Sequence, residues 1–460
     1  MTAIATRGLK LFAVVFAHAV LLAACGSGGT QGGDMDASGK PDASGGSDAD
    51  TDSDADSDTD GDADADSDAD TTPDAGPDGG SDADAADGSD TSDTDTGDEV
   101  NLPPDGTLLA RPYLMWATDS AVSVRFETAA PSVGTVRYGA DAALTDKLSE
   151  DAPVMVHELR VEGLAPDTWH SYQVSFDGWV LPVESFVTAP TPGTEGAVDF
   201  VVFSDNQGGS SVFGQIVGLM DDEAPSFAVS AGDVVEEGTR ANYRNQLFSR
   251  LEGFAGHVPF LVAGGNHERY LNPGASLFDE YLSQPGDEHC FPWQWGALFF
   301  VFIDSDLPIG DGTPQHDCIA QAFGSDEAAA ADFRIAVFHK PPRIEWWVGG
   351  AVAFTQDMEA PWIRGQLEPL LESLGVDLVF NGHNHLYAYT PQTPGGITFV
   401  TAGGAGGALD TELALWRVGT WPEIETTLHQ HHFLSVHATP GALDVTAIGL
   451  DGTVIHQFSL

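Results

Sequence analysis

The residues of this chain best equipped for chemistry stand where apolar runs stop. Val201 to Phe203 leads through Ser204 to Asp205, Asn206 and Gln207, and Phe227 to Ser230 leads to Gly232 and Asp233. Pro259 to Ala263 leads to Gly265, Asn266, His267 and Glu268, Ile335 to Phe338 leads to His339, and Asp377 to Phe380 leads through Gly382 to His383, Asn384 and His385. Carboxylate and amide oxygens and imidazole nitrogens are ligands of hard and borderline cations. A single Gly-Asp is more often a turn than a ligand. Short apolar runs read as buried strands, however, and open α/β folds place ligands beyond the carboxyl ends of their strands. Five such ends converging on one crevice make Asp233 a candidate for a carboxylate shared by two metal ions.

The elements that must position these residues follow from the surrounding pattern. From Val198 the chain reads as mixed α/β, with helical stretches such as Thr239 to Phe254 and Trp362 to Leu374 between the strands. An insertion rich in Gly, Leu and Trp follows Gly404. Three strands close the chain, Phe433 to Ala438, Leu443 to Ile448 and Val454 to Phe458, with Asp451-Gly452 as the hairpin turn. Upstream, Ala121 to Phe126, Gly134 to Gly139, Val154 to Val161, Ser171 to Phe176 and Glu184 to Thr188 alternate apolar and polar residues, which predicts a small β-sandwich. Pro and Gly within Ala189 to Gly196 mark a hinge. The domain boundaries expected are therefore a sandwich over 105–190 and an α/β domain over 197–460.

A chain of 460 residues can hold two or three domains with real cores. Its formal charge of -54 is unevenly spread and densest between residues 31 and 100, where Asp, Ser, Ala, Thr and Gly leave no apolar material to offset ordering entropy, and the remainder of the chain is still acidic. Residues 26–104 are expected to be a disordered acidic spacer, stretched beyond the roughly 45 to 50 Å of a neutral flexible chain of that length. Asp56 to Gly61 matches the first half of a calcium loop, but Ser67 stands where a bidentate Glu is wanted, so a solvated tether is the expectation. The acidity argues against nucleic acid and anionic membrane surfaces as partners.

Arg7 and Lys10 precede the apolar run Leu11 to Ala24, the pattern of an export signal over residues 1–25. Leu22-Ala23-Ala24-Cys25 resembles the lipobox of bacterial lipoproteins, which implies a lipid anchor on Cys25. A bacterial cell-envelope location follows, with the outer membrane or cell surface favoured by the long spacer. Cys290 and Cys318 remain as an even pair, and in an exported chain a disulfide between them is plausible, contributing roughly 3 kcal/mol in the chain-entropy model.

Taken in order, Asp205, Gly232-Asp233, Gly265-Asn266-His267-Glu268, His339 and Gly382-His383-Asn384-His385 resemble the calcineurin-like metallophosphoesterases. With the preceding sandwich the chain is similar to bacterial relatives of the purple acid phosphatases, over about Leu108 to Leu460. The resemblance implies a four-layer α/β metallophosphoesterase sandwich behind a fibronectin type III-like domain. In the latter, Leu164 to Tyr172 is similar to the corner before strand F, with His170 in the usual place of Tyr, so that an imidazole must replace the phenol's hydrogen bond.

The resemblance also implies a ligand set. One metal would be held by Asp205, Asp233 and His385, the other by Asp233, Asn266, His339 and His383. Two dications 3.5 Å apart repel by roughly 19 kcal/mol at an effective dielectric of 20, so anions must lie between them. Asp233 is one such anion and a hydroxide the other. The implied reaction is hydrolysis of phosphate monoesters by a metal-bound hydroxide, with His267 contacting the phosphate and protonating the leaving group, and with Glu268 orienting His267.

Two departures bear on the metals. Glu236 stands where purple acid phosphatases carry the Tyr behind their colour, and Gln207 stands where many relatives carry a His. Gln207, Glu236 or water would complete the first metal, and such oxygen-rich ligation favours iron or manganese over zinc. A phosphodiesterase with the same centre and an inactive surface binding protein are the alternative readings. Arg343 could contact phosphate or be an exposed structural residue, and Trp346 and Trp347 could wall the pocket. Asp304-Ser305 reads as a family position or a strand-end cap, and Asn384 as loop support. His429, His431, His432 and His437 are expected to bind no metal.

Overall fold

The computed structural model describes residues 98–286, 288–348, 356–410 and 416–460. The expectations for the export signal, Cys25 and the acidic tract up to residue 97 lie outside those residues, as do the side chains of Trp346 and Trp347. The end of the expected spacer is part of the fold. Asn101 forms a two-way backbone bridge with Val180, and Asp98 accepts from Arg137 at 2.6 Å.

Strands Leu108–Met115, Ala121–Ser132 and Val154–Glu162 form one sheet of the N-terminal region. Asp146–Ser149, Gly134–Gly139, Trp169–Phe176, Trp179–Val180 and Glu184–Val187 form the other. Val122, Val124, Phe126, Val136, Tyr172, Val174 and Phe186 fill the space between them. His170 makes the bond asked of it, its Nε2 lying 3.1 Å from the Ala165 carbonyl.

The strand Ala121–Ser132 is buried on both faces over its first eight residues, although its sequence alternates. Its polar face is covered by the segment around Ser276–Tyr281. Glu127 takes a bidentate pair from Arg244 and a hydrogen bond from Tyr281, and Ser123 meets Ser283. Met115 pairs in parallel with Phe260, which makes the three N-terminal strands one flank of a nine-stranded sheet.

The centre of that sheet is the parallel set Val198–Phe203, Phe227–Ser230 and Phe260–Val262, and its far flank is the antiparallel set His432–Thr439, Ala442–Gly449 and Val454–Ser459. A seven-stranded sheet faces it, built around the parallel strands Leu298–Ile303, Phe333–Phe338, Leu378–Asn381 and Thr398–Ala402. The core between the sheets is aromatic: Phe200 stacks on Phe227 at 4.7 Å, and Phe300 meets Phe227 edge-on at 5.9 Å. Helix Ser210–Asp222 packs its Phe213, Ile216 and Met220 on the outside of the first sheet. Helices Pro314–Phe323, Gln356–Gln366 and Glu368–Ser373 cover the second with Ile319, Ile363 and Leu371. The result is helix, sheet, sheet, helix, with every parallel strand burying nearly its whole length.

Two helices depart from expectation. Thr239 to Phe254 is not one α-helix: Thr239 caps Arg240–Asn242, a π-turn runs over Tyr243–Phe248, and Ser249–Leu251 follows. The other stretch begins earlier, at Gln356, and breaks at Leu367, because Pro369 cannot donate into a continuing helix. Cys290 and Cys318 are bonded, tying strand Cys290–Trp295 to helix Pro314–Phe323.

Candidate metal centre

Asp205 and Asp233 follow neighbouring parallel strands, and both hold left-handed backbone, with φ of 59° and 52°. His383 does the same at φ 70°. Asp and His tolerate that region better than most residues, and strained residues gathered at one place are a mark of a functional site. Close approach makes the turns possible: a Cβ on Gly265 would collide with the Asp233 Oδ1 atom, and one on Gly382 with an Asp205 oxygen.

Two donor sets meet here. In the first, His385 places Nε2 3.4 Å from Asp205 Oδ1, and its Nδ1–H donates to the Ala408 carbonyl at 2.6 Å, which leaves Nε2 with a lone pair. Gln207 lies beside it, Nε2 to Nε2 at 3.0 Å. In the second, His339 donates from Nδ1 to the Ala231 carbonyl at 2.9 Å and turns Nε2 to Asp233 Oδ2, also at 2.9 Å. His383 Nδ1 is 3.2 Å from the same His339 nitrogen, and one ligand atom from each of Asp233, His339 and His383 lies within 4.8 Å of the others. His383 joins the sets, since its backbone N–H donates to both Asp205 oxygens at 2.9 Å.

These residues fit a cation. Asn266 donates from Nδ2 to the Tyr270 hydroxyl at 3.2 Å, and its buried Oδ1 has no hydrogen-bond partner. The buried Oε1 of Gln207 also lacks one. Orphaned oxygens of this kind cost about 1–3 kcal/mol each unless something positive faces them. Protons now sit where metal would compete for them. Burial works against the charge on His339, but Asp233 and Asp205 outweigh it and raise its pKa to about 10. Burial likewise opposes His385, and Asp205 carries it up to about 9. Burial also opposes the Asp233 carboxylate, yet His339, His267 and His383 hold it well below the usual carboxylate range. His383 is pushed well below an ordinary imidazole by burial and by the charge on His339.

Residues 198–387 match the model of the calcineurin-like phosphoesterase family. The chain carries a calcineurin-like phosphoesterase domain. Purple acid phosphatase 23 of Arabidopsis thaliana is 23% identical over 296 residues, which is 55% of this chain and 62% of that protein, so the chain spans less than two thirds of that relative's length. The fold is similar to purple acid phosphatase PPD1 from yellow lupin, with a TM-score of 0.64 at 18% identity over 76% of this chain and 73% of that one. It is also similar to PhoD, with a TM-score of 0.59 at 14% identity over 79% and 91%.

Within the phosphoesterase domain, His267 lies at the open side of the centre. Its Nδ1 meets the Glu236 carbonyl at 2.8 Å, and its Nε2 stands 3.8 Å from Asp233 Oδ2. The expectation that Glu268 orients His267 is not met. Glu268 is buried and accepts from the backbone N–H groups of Val234 at 2.7 Å, Gly265 at 2.8 Å and Asp233 at 3.3 Å. It ties the loop of Asp233 to that of Asn266, while burial, then the Asp233 charge, push its pKa up to about 8. Glu236 is exposed at the rim, and its side chain lies over Gly208 rather than among the donors.

Arg343 is neither exposed nor aimed at the centre. It is buried against Phe399 at 4.8 Å and paired with Glu368 at 2.5 Å. Asp304 braces Gly264 from behind and pairs with Arg269 and His289, and Ser305 accepts from the Lys340 N–H at 3.0 Å. Asn384 reaches Asp410 at 3.4 Å, as loop support. The four later histidines have separate partners: His429 has Glu345, His431 the Gly404 carbonyl, His432 the Gln430 carbonyl and His437 Asp199. Tyr270, which aligns the Asn266 amide, was not singled out by the residue patterns. Its only signal is a phenol four residues after Asn266, at the end of the short turn His267–Arg269.

Proposed function

We propose that the chain is an exported phosphoesterase that hydrolyses phosphate monoesters at a centre of two metal ions. Asp205, His385 and Asp233, completed by Gln207, would hold one ion, and Asp233, Asn266, His339 and His383 the other. The observation that carries this reading is the meeting of two donor sets, Asp205 with His385 and Asp233 with His339 and His383, that His383 links. Ions bound there supply a water nucleophile near neutral pH and charge neutralisation for the phosphoryl oxygens. The oxygen donors of Asp205, Gln207 and Asn266 favour iron or manganese over zinc.

The chain's own groups do the remaining work. Glu268 keeps the loops of Asp233 and Asn266 in register through the three amides it accepts. His339 and His385 keep their Nε2 lone pairs on the centre because backbone carbonyls hold their Nδ1–H groups. His267 has its Nδ1–H on the Glu236 carbonyl, so Nε2 is the atom that exchanges a proton with the leaving alcohol. We further propose that the N-terminal sandwich is fibronectin type III-like and that Cys25 carries a lipid anchor to the cell envelope. The antiparallel pairing of Gly134–Gly139 with Trp169–Phe176, with the His170 corner, supports the first.

Turnover of p-nitrophenyl phosphate against bis-p-nitrophenyl phosphate, with iron, manganese or zinc added, tests the reading. Faster monoester hydrolysis supports it. Faster diester hydrolysis points to a phosphodiesterase, and no turnover under any metal to a binding protein.

A further inference from the structure

Beside His267 two large apolar residues stand open to solvent, Tyr270 at 50% and Leu271 at 74% exposure. Exposed apolar residues scattered singly are ordinary, but these are adjacent, and the first of them lies against His267 and Asn266. Leu271 also holds left-handed backbone at φ 60°, which a bulky side chain adopts only at a steric cost. The loop is held firmly in that shape: the Gly238 N–H donates to the Tyr270 carbonyl at 2.8 Å, the Asn272 N–H to the Arg269 carbonyl at 3.1 Å, and Arg269 is anchored on Asp304. Neither core packing nor backbone preference accounts for a leucine there.

The Tyr270 ring lies 4.6 Å from the His267 ring, inclined at 50°, so the two form one continuous wall. The Tyr270 hydroxyl is held by Asn266, which fixes the ring beside the centre. A substituent on an ester oxygen within reach of His267 Nε2 meets the Tyr270 ring beside it, and Leu271 is the next residue outward in the chain. We propose that these two side chains form a leaving-group platform that selects phosphate esters of aromatic or other flat apolar alcohols over those of small polar alcohols. This rests on the phosphoesterase reading above and names the substrate class of the same site.

The test compares phenylphosphonate with methylphosphonate by calorimetry on the metal-loaded full chain. Both carry the same anionic group, so any change in metal loading or phosphoryl grip affects both and leaves their ratio intact. The expected result is phenylphosphonate binding about five- to tenfold tighter, as one aromatic and one aliphatic contact provide. Leu271→Asn keeps a residue tolerant of left-handed backbone, and Tyr270→Ala removes the ring; each should at least halve the ratio, and the double variant should bring it to about one. Equal affinity for the two phosphonates in the parent, no binding of either, or an intact ratio in the double variant would overturn the platform. Because the ratio is read without turnover, a failure to hydrolyse p-nitrophenyl phosphate would count against the phosphoesterase reading, while the platform would still stand or fall on the two phosphonates.

Discussion

His267 carries the clearest consequence of any single residue. It stands 3.8 Å from Asp233 but gives its Nδ1 to the Glu236 carbonyl, so its removal should spare the ligands. His267→Ala is expected to slow alkyl phosphates by about 10²-fold or more while p-nitrophenyl phosphate, whose leaving group needs little proton help, changes less. Elemental analysis should find the metal content of the parent, and loss of metal would end the assignment. A different histidine contributes to the loss of stability in acid. His432 is fully buried, edge-on to Tyr387 at 5.4 Å, and burial lowers its pKa from an ordinary 6.5 to about 4. Below 6.5 the unfolded chain takes up a proton that the folded chain refuses. Its contribution is therefore complete above 6.5 and lost as the pH falls toward 4, by roughly 3 kcal/mol. Urea unfolding of His432→Gln from pH 7 to 4.5 should show a shallower acid loss than the parent, and equal slopes would refute the assignment.

Among the elements, the N-terminal sandwich matters most. Its first strand supplies Tyr113, whose hydroxyl donates to the Tyr281 carbonyl at 2.7 Å, and Trp293 donates to the Ala117 carbonyl at 2.7 Å in return. Tyr172 reaches the Gly256 carbonyl at 2.7 Å, and the buried Glu127 depends on Arg244 and Tyr281 across the joint. A chain starting at residue 197 would expose this apolar and ionic surface and leave Arg244 without its carboxylate. It should fail to give a cooperative thermal transition, whereas a chain starting at Asp98 should unfold in one transition. Independent melting of the shorter chain would contradict this. The strands themselves could be read from alternation: Gly134–Gly139 and Val154–Glu162 lie where the pattern put them, to within a residue. The cover over Ser123, Arg125 and Glu127 could not, because an alternating strand records only that one face is polar. Whether water or another element satisfies that face depends on residues more than a hundred positions away.

For the whole molecule, charge outweighs every other feature, at -54 in all, with less than half of it ahead of the folded region, though at a higher density there. An anionic substrate approaching such a chain is repelled over distances that salt shortens, the screening length falling from about 30 Å at 0.01 M to about 8 Å at 0.15 M. The ratio kcat/KM for an anionic ester should therefore rise a few-fold between those ionic strengths. A chain lacking residues 1–97 should show a flatter response, and an unchanged response would place the effect in the folded region alone. The exposed rim, including Glu236, would then be the source.

The candidate centre was legible in the residue order because each candidate ligand stands at or just beyond the end of an apolar run, and a run that short and that apolar has few folds open to it. The expectation that parallel strands end on one edge brought these residues together, and the family resemblance implied which of them, Asp205, Asp233, Asn266, His339, His383 and His385, would be ligands. What the linear order left undecided is direction. Glu268 is adjacent to His267 in sequence, yet it faces three backbone amides, and Arg343, four residues beyond His339, turns into the core against Phe399. Neighbours in sequence leave a tight turn on different bearings, and only the packing of the loops against one another determines which side chains look into the crevice.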